Sequence, residues 1–276
     1  MRRLRISAIS YLNTAPLMWD FENTPVGSQF EISYTIPSDC ARSLETGSAD
    51  IGIIPAAAYT RIPELVILPD VAIAAVRAVR SILLVSKVPI EHIRSVALDT
   101  SSMASVALTK IILDSWYGGQ CRFMPMEPVI EEMLASHDAG LLIGDPALRV
   151  DRAKYHTYDL AEEWIRRTGK PFVFAFWAVR KDALQNTDLD LARIFQESRN
   201  HGLRPDSLAR IAQQWGPRLG LTHTAVKSYL LENIHYYLDP ACLEGLALFY
   251  SYGHECGVLP KPPELQFFDA GKPVIP

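Results

Sequence analysis

The chain has 276 residues, of which 49% are hydrophobic and 21% are charged, and its formal net charge at pH 7 is −4. This composition is typical of a soluble globular protein with room for one large or two modest domains. The net charge gives no support to nucleic-acid binding, which is usually marked by a basic stripe, but it leaves open a local positive pocket for an anion. No run of eighteen apolar residues is present, so we predict no membrane-spanning segment.

The N-terminal segment predicts a strand rather than a signal peptide. Three arginines occupy the first five positions, but polar residues soon interrupt the apolar run that a signal peptide needs. We therefore expect a first strand over residues 4–10 and a cytoplasmic protein. Thr14 followed by Pro16 is typical of a helix start.

The next elements alternate between strand and helix. Residues 31–36 and 51–54 predict strands, and the helix between them is expected to be capped by Ser38 or Asp39 and to end at Gly47. Residues 71–86 form one long β-rich stretch, which we expect to carry the chain towards a second lobe.

The middle of the chain continues this alternation, and the last third is helical. Strands are predicted over 95–99, 122–126, 140–143 and 172–179, with helices through Trp116, over 128–136 and at the end of 155–167. From Asp182 onward one stripe has helical spacing: Val226, Tyr229, Leu230, Ile234 and Tyr237. The Pro-rich tail, 260–276, is expected to wrap the surface.

Two look-alike segments, 43–56 and 132–147, are the most informative feature. In each, a helix end meets a polar turn and then a short apolar run that stops at or just before a proline. A continuous apolar run is typical of a buried parallel strand. Ligands of open α/β sheets bind beyond the carboxyl ends of the strands. We therefore predict an α/β protein with a small-molecule cleft between two similar lobes, one formed by 1–87 and 172–276 and the other by 88–171.

Polar residues follow two of the predicted strands where such a cleft would lie. The segment 11–14 offers the amide of Asn13 and a hydroxyl to a ligand, although Asn is equally common as a turn former. In the segment 99–105, Ser101 and Ser102 at a helix N-terminus suit a carboxylate or phosphate. Plain helix capping by the same serines is the slightly favoured interpretation of that segment alone.

Two further positions have both a structural and a functional interpretation. Ser81 is a polar residue in an apolar strand, and it either bonds the backbone or faces the cleft. The Gly144-Asp145 turn either starts a helix, with Asp145 as cap, or places a carboxylate and backbone amides at the cleft.

Metal and nucleophile motifs are absent from the sequence. The seven histidines lack HExxH or similar spacing, and no G-x-S-x-G elbow is present. The cysteines form no CxxC pair, so we expect free thiols at all four: Cys40, Cys121, Cys242 and Cys256.

Five short motifs in order resemble the chorismate dehydratases of the futalosine route to menaquinone. They are ISYLNTAP (9–16), SADIGIIP (48–55), RSILLVS (80–86), LDTSSMAS (98–105) and LIGDPA (142–147). The resemblance covers roughly the first 180 residues. It implies a type II periplasmic-binding-protein fold used as a cytoplasmic enzyme. It also implies that chorismate, a dianion, is converted to 3-[(1-carboxyvinyl)oxy]benzoate with loss of water and without a cofactor.

The resemblance also implies site residues. Asn13 and Ser81 line the substrate site of that family and are carried over as catalytic. The substrate-contacting residues carried over with them are Tyr11, Thr100, Ser101, Ser102, Gly144 and Asp145. Our hypothesis is that the enolpyruvyl carboxylate of the substrate takes the C3 proton, positioned by Asn13 and Ser81. The rival base is Asp145.

Three alternatives share the same fold. One is the 1,4-dihydroxy-6-naphthoate synthase of the same pathway, although the pairing of motifs 9–16 and 98–105 favours the dehydratase. Another is a solute-binding protein of a transporter, which the absent export signal disfavours. The third is the effector domain of a transcription regulator, for which a first strand at residue 4 leaves no room for a DNA-binding helix pair.

Overall fold

Two five-stranded sheets form the framework of the computed structural model, which describes residues 2–185 and 187–269. The strands in chain order are β1 (Leu4–Ile9), β2 (Phe30–Thr35), β3 (Ile51–Pro55), β4 (Leu65–Ala75), β5 (Ile82–Ser86), β6 (Ser95–Leu98), β7 (Arg122–Pro125), β8 (Ala139–Ile143), β9 (His156–Asp159) and β10 (Phe172–Arg180). The first sheet has the order β2-β1-β3-β10-β4 and the second has the order β7-β6-β8-β5-β9. We call each sheet with its packed helices the first and the second lobe.

The helices cover the faces of the sheets and form most of the last third of the chain. They are α1 (Trp19–Asn23), α2 (Pro37–Glu45), α3 (Ala56–Tyr59), α4 (Met103–Trp116), α5 (Ile130–Ser136), α6 (Asp145–Leu148), α7 (Leu160–Thr168), α8 (Lys181–Leu184), α9 (Leu191–Gly202), α10 (Pro205–Leu219), α11 (His223–Ser228) and α12 (Pro240–Glu255). Within the described ranges, no helix has both the length and the apolarity needed to cross a membrane.

The two look-alike segments occupy the same place in the two sheets. β3 and β8 are each the third strand in order, parallel to one neighbour and antiparallel to the other. Every residue of both strands is buried, as continuous apolar runs predict. The predicted pair of similar α/β lobes is therefore confirmed.

The chain crosses between the lobes twice, but the first crossing lies earlier than predicted. The β-rich stretch 71–86 is two strands, because residues 76–81 break it and Arg80 has a positive φ of 65°. β5 belongs to the second sheet, whereas the predicted limit at residue 87 placed it in the first lobe. The chain returns through β10, which begins at the predicted Phe172; residues 270–276, also assigned to the first lobe, lie outside the described residues.

Two local predictions were wrong. Helix α2 is capped by Ile36 and starts at Pro37, rather than being capped by Ser38 or Asp39, because proline suits a first helical position whose N–H has no partner. The predicted helical stripe 226–237 also ends early. A single π-helical turn, Tyr229–Asn233, follows α11, and His235 then pairs its backbone with Ala74 of β4 in both directions at 2.8 Å.

Candidate functional site in the cleft between the lobes

A narrow cavity lies where the two lobes meet. Its lining comes from both lobes and comprises Ile9, Tyr11, Asn13, Pro37, Pro55, Ile73, Ile82, Ser102, Ser105, Ile143, Gly144, Phe174 and Ala175. The cavity measures about 40 Å3, far below the roughly 300–1,000 Å3 of common ligand pockets. The lobes thus lie closed on one another, and the space between them is smaller than a ring-sized ligand needs.

The electrostatics of this cavity come from helix ends rather than from charged side chains. None of its lining residues is charged. Pro37 opens α2 of the first lobe and Ser102 caps α4 of the second, so the N-terminal turns of two helices border the cavity. The N-terminus of a helix carries partial positive charge, which favours a bound anion. At α2 this is the partial charge alone, because Pro37 has no N–H and the N–H of Ser38 donates to the carbonyl of Ser101. The cavity therefore borders partial positive charge from both lobes.

Asn13 lies in a short 3₁₀ turn directly after β1 and faces the cavity. Its Oδ1 accepts a hydrogen bond from Thr14 Oγ1 at 3.2 Å. Because that bond fixes the orientation of the amide, the two N–H donors of Asn13 remain for other partners. The structure thus places this predicted residue in the cleft.

Ser81 lies behind the lining rather than in it. It is fully buried, and its Oγ accepts a hydrogen bond of 2.9 Å from the hydroxyl of Tyr229. Its carbonyl oxygen accepts the N–H of Gly144 at 2.8 Å. Ser81 therefore supports the cavity wall from the second lobe, and its catalytic role stays a prediction.

Tyr11 and Gly144 touch across the cleft. Gly144 has φ +62° and ψ −138°, a backbone conformation that residues other than glycine rarely adopt. A Cβ placed on it would lie 2.8 Å from two ring carbons of Tyr11. Burial raises the pKa of the Tyr11 hydroxyl. A glycine at 144 is what allows the aromatic ring of one lobe to lie against the backbone of the other.

Two further hydrogen bonds join the lobes. The N–H of Leu12 donates to Asp145 Oδ1 at 3.1 Å, and the N–H of Ser38 donates to the carbonyl of Ser101 at 2.9 Å. Asp145 does not cap α6, since Gly144 holds that position. Burial raises the pKa of Asp145. Both bonds hold the closed arrangement.

Residues of the segment 99–105 differ in whether they cap a helix or line the cavity. Ser102 caps α4 and also lines the cavity, and its contact with a substrate stays a prediction. Ser101 instead donates its N–H and Oγ–H to Asp99 Oδ1, at 3.0 and 2.5 Å. Thr100 is exposed and does not line the cavity.

The cleft thus brings together four of the eight predicted site residues: Tyr11, Asn13, Ser102 and Gly144. The other four are close in sequence but do not line the closed cavity: Ser81, Thr100, Ser101 and Asp145. Sequence reasoning missed Ser105, which lies one helical turn after Ser102 and is fully buried at the cavity. It also missed Tyr229, which no local pattern connects to a site 148 residues away.

Among the described residues, one group of possible metal ligands lies away from the cleft. His235, Asp239 and Cys242 offer ligand atoms within 4.8 Å of one another. Asp239 already accepts hydrogen bonds of 2.8 Å from His235 Nε2 and from the N–H of Cys242, as cap of α12. Burial raises the pKa of the Cys242 thiol to about 12, which keeps it protonated. These groups serve the helix end and do not line the cleft.

The arrangement of two similar mixed sheets around a closing cleft is that of the periplasmic-binding-protein fold. A crystal structure of a protein from Archaeoglobus fulgidus is similar, with a TM-score of 0.67 and 16% sequence identity. The match covers 93% of this chain and 98% of the Archaeoglobus chain. The alkanesulfonate-binding protein from Xanthomonas axonopodis, bound to MOPS, has a TM-score of 0.68 and 15% identity, with 94% of each chain covered. The protein is therefore a two-lobed member of this fold class.

The sequence identifies the family more narrowly. The menaquinone biosynthesis family matches residues 4–255, so the chain belongs to that family. The chorismate dehydratase of Thermus thermophilus is 29% identical over 267 residues, covering 90% of this chain and 94% of that protein.

Proposed function

We propose that this protein is an enzyme, a chorismate dehydratase that converts chorismate to 3-[(1-carboxyvinyl)oxy]benzoate and water. The observation that supports this most is the cleft itself, which is bordered by one helix N-terminus from each lobe and by no charged side chain. Chorismate carries two carboxylates, and each needs stabilisation when water is excluded. The likeness to the Thermus thermophilus dehydratase supports the same assignment.

The reaction requires the protein mainly to position the substrate. The C3–H and C4–O bonds break, a C=C bond forms in the ring, and the proton and hydroxyl leave as water. Because the ring becomes aromatic, much of the driving force resides in the substrate. The closed cleft would hold the reactive conformer and keep the enolpyruvyl group from its competing rearrangement.

The base is the second part of the proposal. No carboxylate or histidine is among the lining residues, and Asp145 has one oxygen committed to the N–H of Leu12. This supports the enolpyruvyl carboxylate of chorismate as acceptor of the C3 proton, oriented by the free amide donors of Asn13.

Two substitutions at Asp145 separate its roles as base and as lobe contact. Asp145→Asn keeps an oxygen that can accept the N–H of Leu12, so we expect kcat within about threefold of wild type. Asp145→Ala removes that acceptor, and we expect kcat/KM to fall about tenfold because a buried hydrogen bond of the closed state is lost. Steady-state kinetics of both variants measure this. A loss in Asp145→Asn of a hundredfold or more would instead identify Asp145 as the base.

The assignment is tested by mixing purified protein with chorismate, with nothing else added, and following the products by mass spectrometry. A product lighter by one water is expected. Unchanged chorismate with measurable binding would identify a carrier or sensor. Absence of binding would favour the naphthoate synthase.

A further inference from the structure

Tyr229 supports Ser81, one of the two residues predicted to be catalytic. It comes from the C-terminal third of the chain and is only 1% exposed. Its hydroxyl donates to Ser81 Oγ at 2.9 Å. Burial raises the pKa of the Tyr229 hydroxyl, so the phenol keeps its proton and remains a donor.

The hydrogen bond between Tyr229 and Ser81 has one direction. Tyr229 donates to Ser81 Oγ, so the O–H of Ser81 is left to donate elsewhere. A hydroxyl that accepts a hydrogen bond becomes a better donor itself, because each bond polarises the next. Ser81 in turn supports the cavity wall, since its carbonyl oxygen accepts the N–H of Gly144 at 2.8 Å.

The surroundings hold Tyr229 and Ser81 in fixed relation. Tyr229 begins the π-helical turn, a distortion that is frequent at functional sites. Asn233, at the end of that turn, donates Nδ2–H to the carbonyl of Ala78 at 2.8 Å. The carboxylate of Asp159 accepts the N–H groups of Val79 and Arg80 at 3.1 and 2.6 Å. The segment leading into Ser81 is thereby anchored from two sides.

We propose that Tyr229 is a positioning residue for the chemistry of the cleft, holding the hydroxyl of Ser81 in one orientation behind the cavity wall. This role rests on the proposed function. Tyr229 does not line the cavity, so it acts through Ser81 and not by touching the substrate.

The test compares Tyr229→Phe with Tyr250→Phe. Tyr250 is also buried, and its hydroxyl donates to the carbonyl of Ala56 at 2.8 Å, so each variant loses one buried hydroxyl and one hydrogen bond. With chorismate, Tyr229→Phe is expected to lower kcat about tenfold to a hundredfold with KM within about threefold, because misplaced groups slow the chemical step. Tyr250→Phe is expected to keep wild-type kcat with a similar loss of thermal stability.

A double-mutant cycle with Ser81→Ala adds a readout that a general loss of stability would not move. If Tyr229 acts through Ser81, the kcat losses of Tyr229→Phe and Ser81→Ala overlap rather than multiply. If the wild type is active and Tyr229→Phe keeps the wild-type kcat, this role alone is overturned. The same holds if the kcat losses of Tyr229→Phe and Ser81→Ala multiply fully in the double mutant. Wild type that leaves chorismate unchanged would overturn both the role and the proposed function.

Discussion

Replacing Asn13 by alanine is expected to lower kcat for chorismate about a hundredfold, a loss typical of removing one oriented donor from an active site. The Asn13 amide faces the cavity with its oxygen held by Thr14, so its N–H groups are the oriented donors of the first lobe. Binding should change little, because the helix N-termini that border the cavity remain. Steady-state kinetics together with calorimetric binding of chorismate measure both quantities.

Asn23→Ala serves as the matched control for this experiment. Asn23 is exposed, and its amide donates to the carbonyl of Trp19 within helix α1. We expect wild-type kcat and KM. Near-normal turnover in Asn13→Ala would remove Asn13 from the mechanism.

Gly144→Ala is expected to lower kcat/KM about a hundredfold. The new methyl group would meet the ring of Tyr11 at 2.8 Å from a backbone at φ +62°, so either the lobes stay apart or the strand end shifts. A shift of about 1 Å in the reacting groups is enough for a loss of this size. Kinetics and thermal unfolding of the variant measure the effect.

Gly169→Ala separates backbone strain from the collision between lobes. Gly169 also has a positive φ, +67°, but a Cβ there meets nothing within 4 Å. We expect a loss of about 1 kcal/mol in the free energy of unfolding, typical of a left-handed residue, with kcat/KM unchanged. If Gly144→Ala retained wild-type kcat/KM, contact between Tyr11 and Gly144 would not be needed for activity.

Features that depend on neighbouring residues were predictable from the sequence. The continuous apolar runs of β3 and β8 identified both as buried strands and placed them in equivalent lobes. The polar residues after β1 and β6 indicated the cleft, because strand ends at one sheet edge are where ligands bind. The same reasoning offered Asn13 and Ser102 as candidates, with turn formation and helix capping as their alternative interpretations.

Features set by distant contacts were not predictable. The resemblance placed Ser81 in the substrate site. In the structure Ser81 is buried behind the cavity lining, where it accepts a hydrogen bond from Tyr229, 148 residues away in the chain. The split of the stretch 71–86 depends on Asp159, whose carboxylate binds the turn before β5 from another part of the chain. The helical stripe ended early because His235 pairs with Ala74 of β4. Each case is a tertiary contact that overrides a local pattern.

The most direct test of the proposed dehydration is a proton NMR time course of chorismate with the purified protein and no added cofactor. The predicted result is loss of the C3 and C4 ring signals, growth of aromatic signals of a meta-substituted benzoate, and retention of both enolpyruvyl vinyl protons. Chorismate that stays unchanged, or a product that has lost or rearranged its enolpyruvyl group, would contradict the assignment.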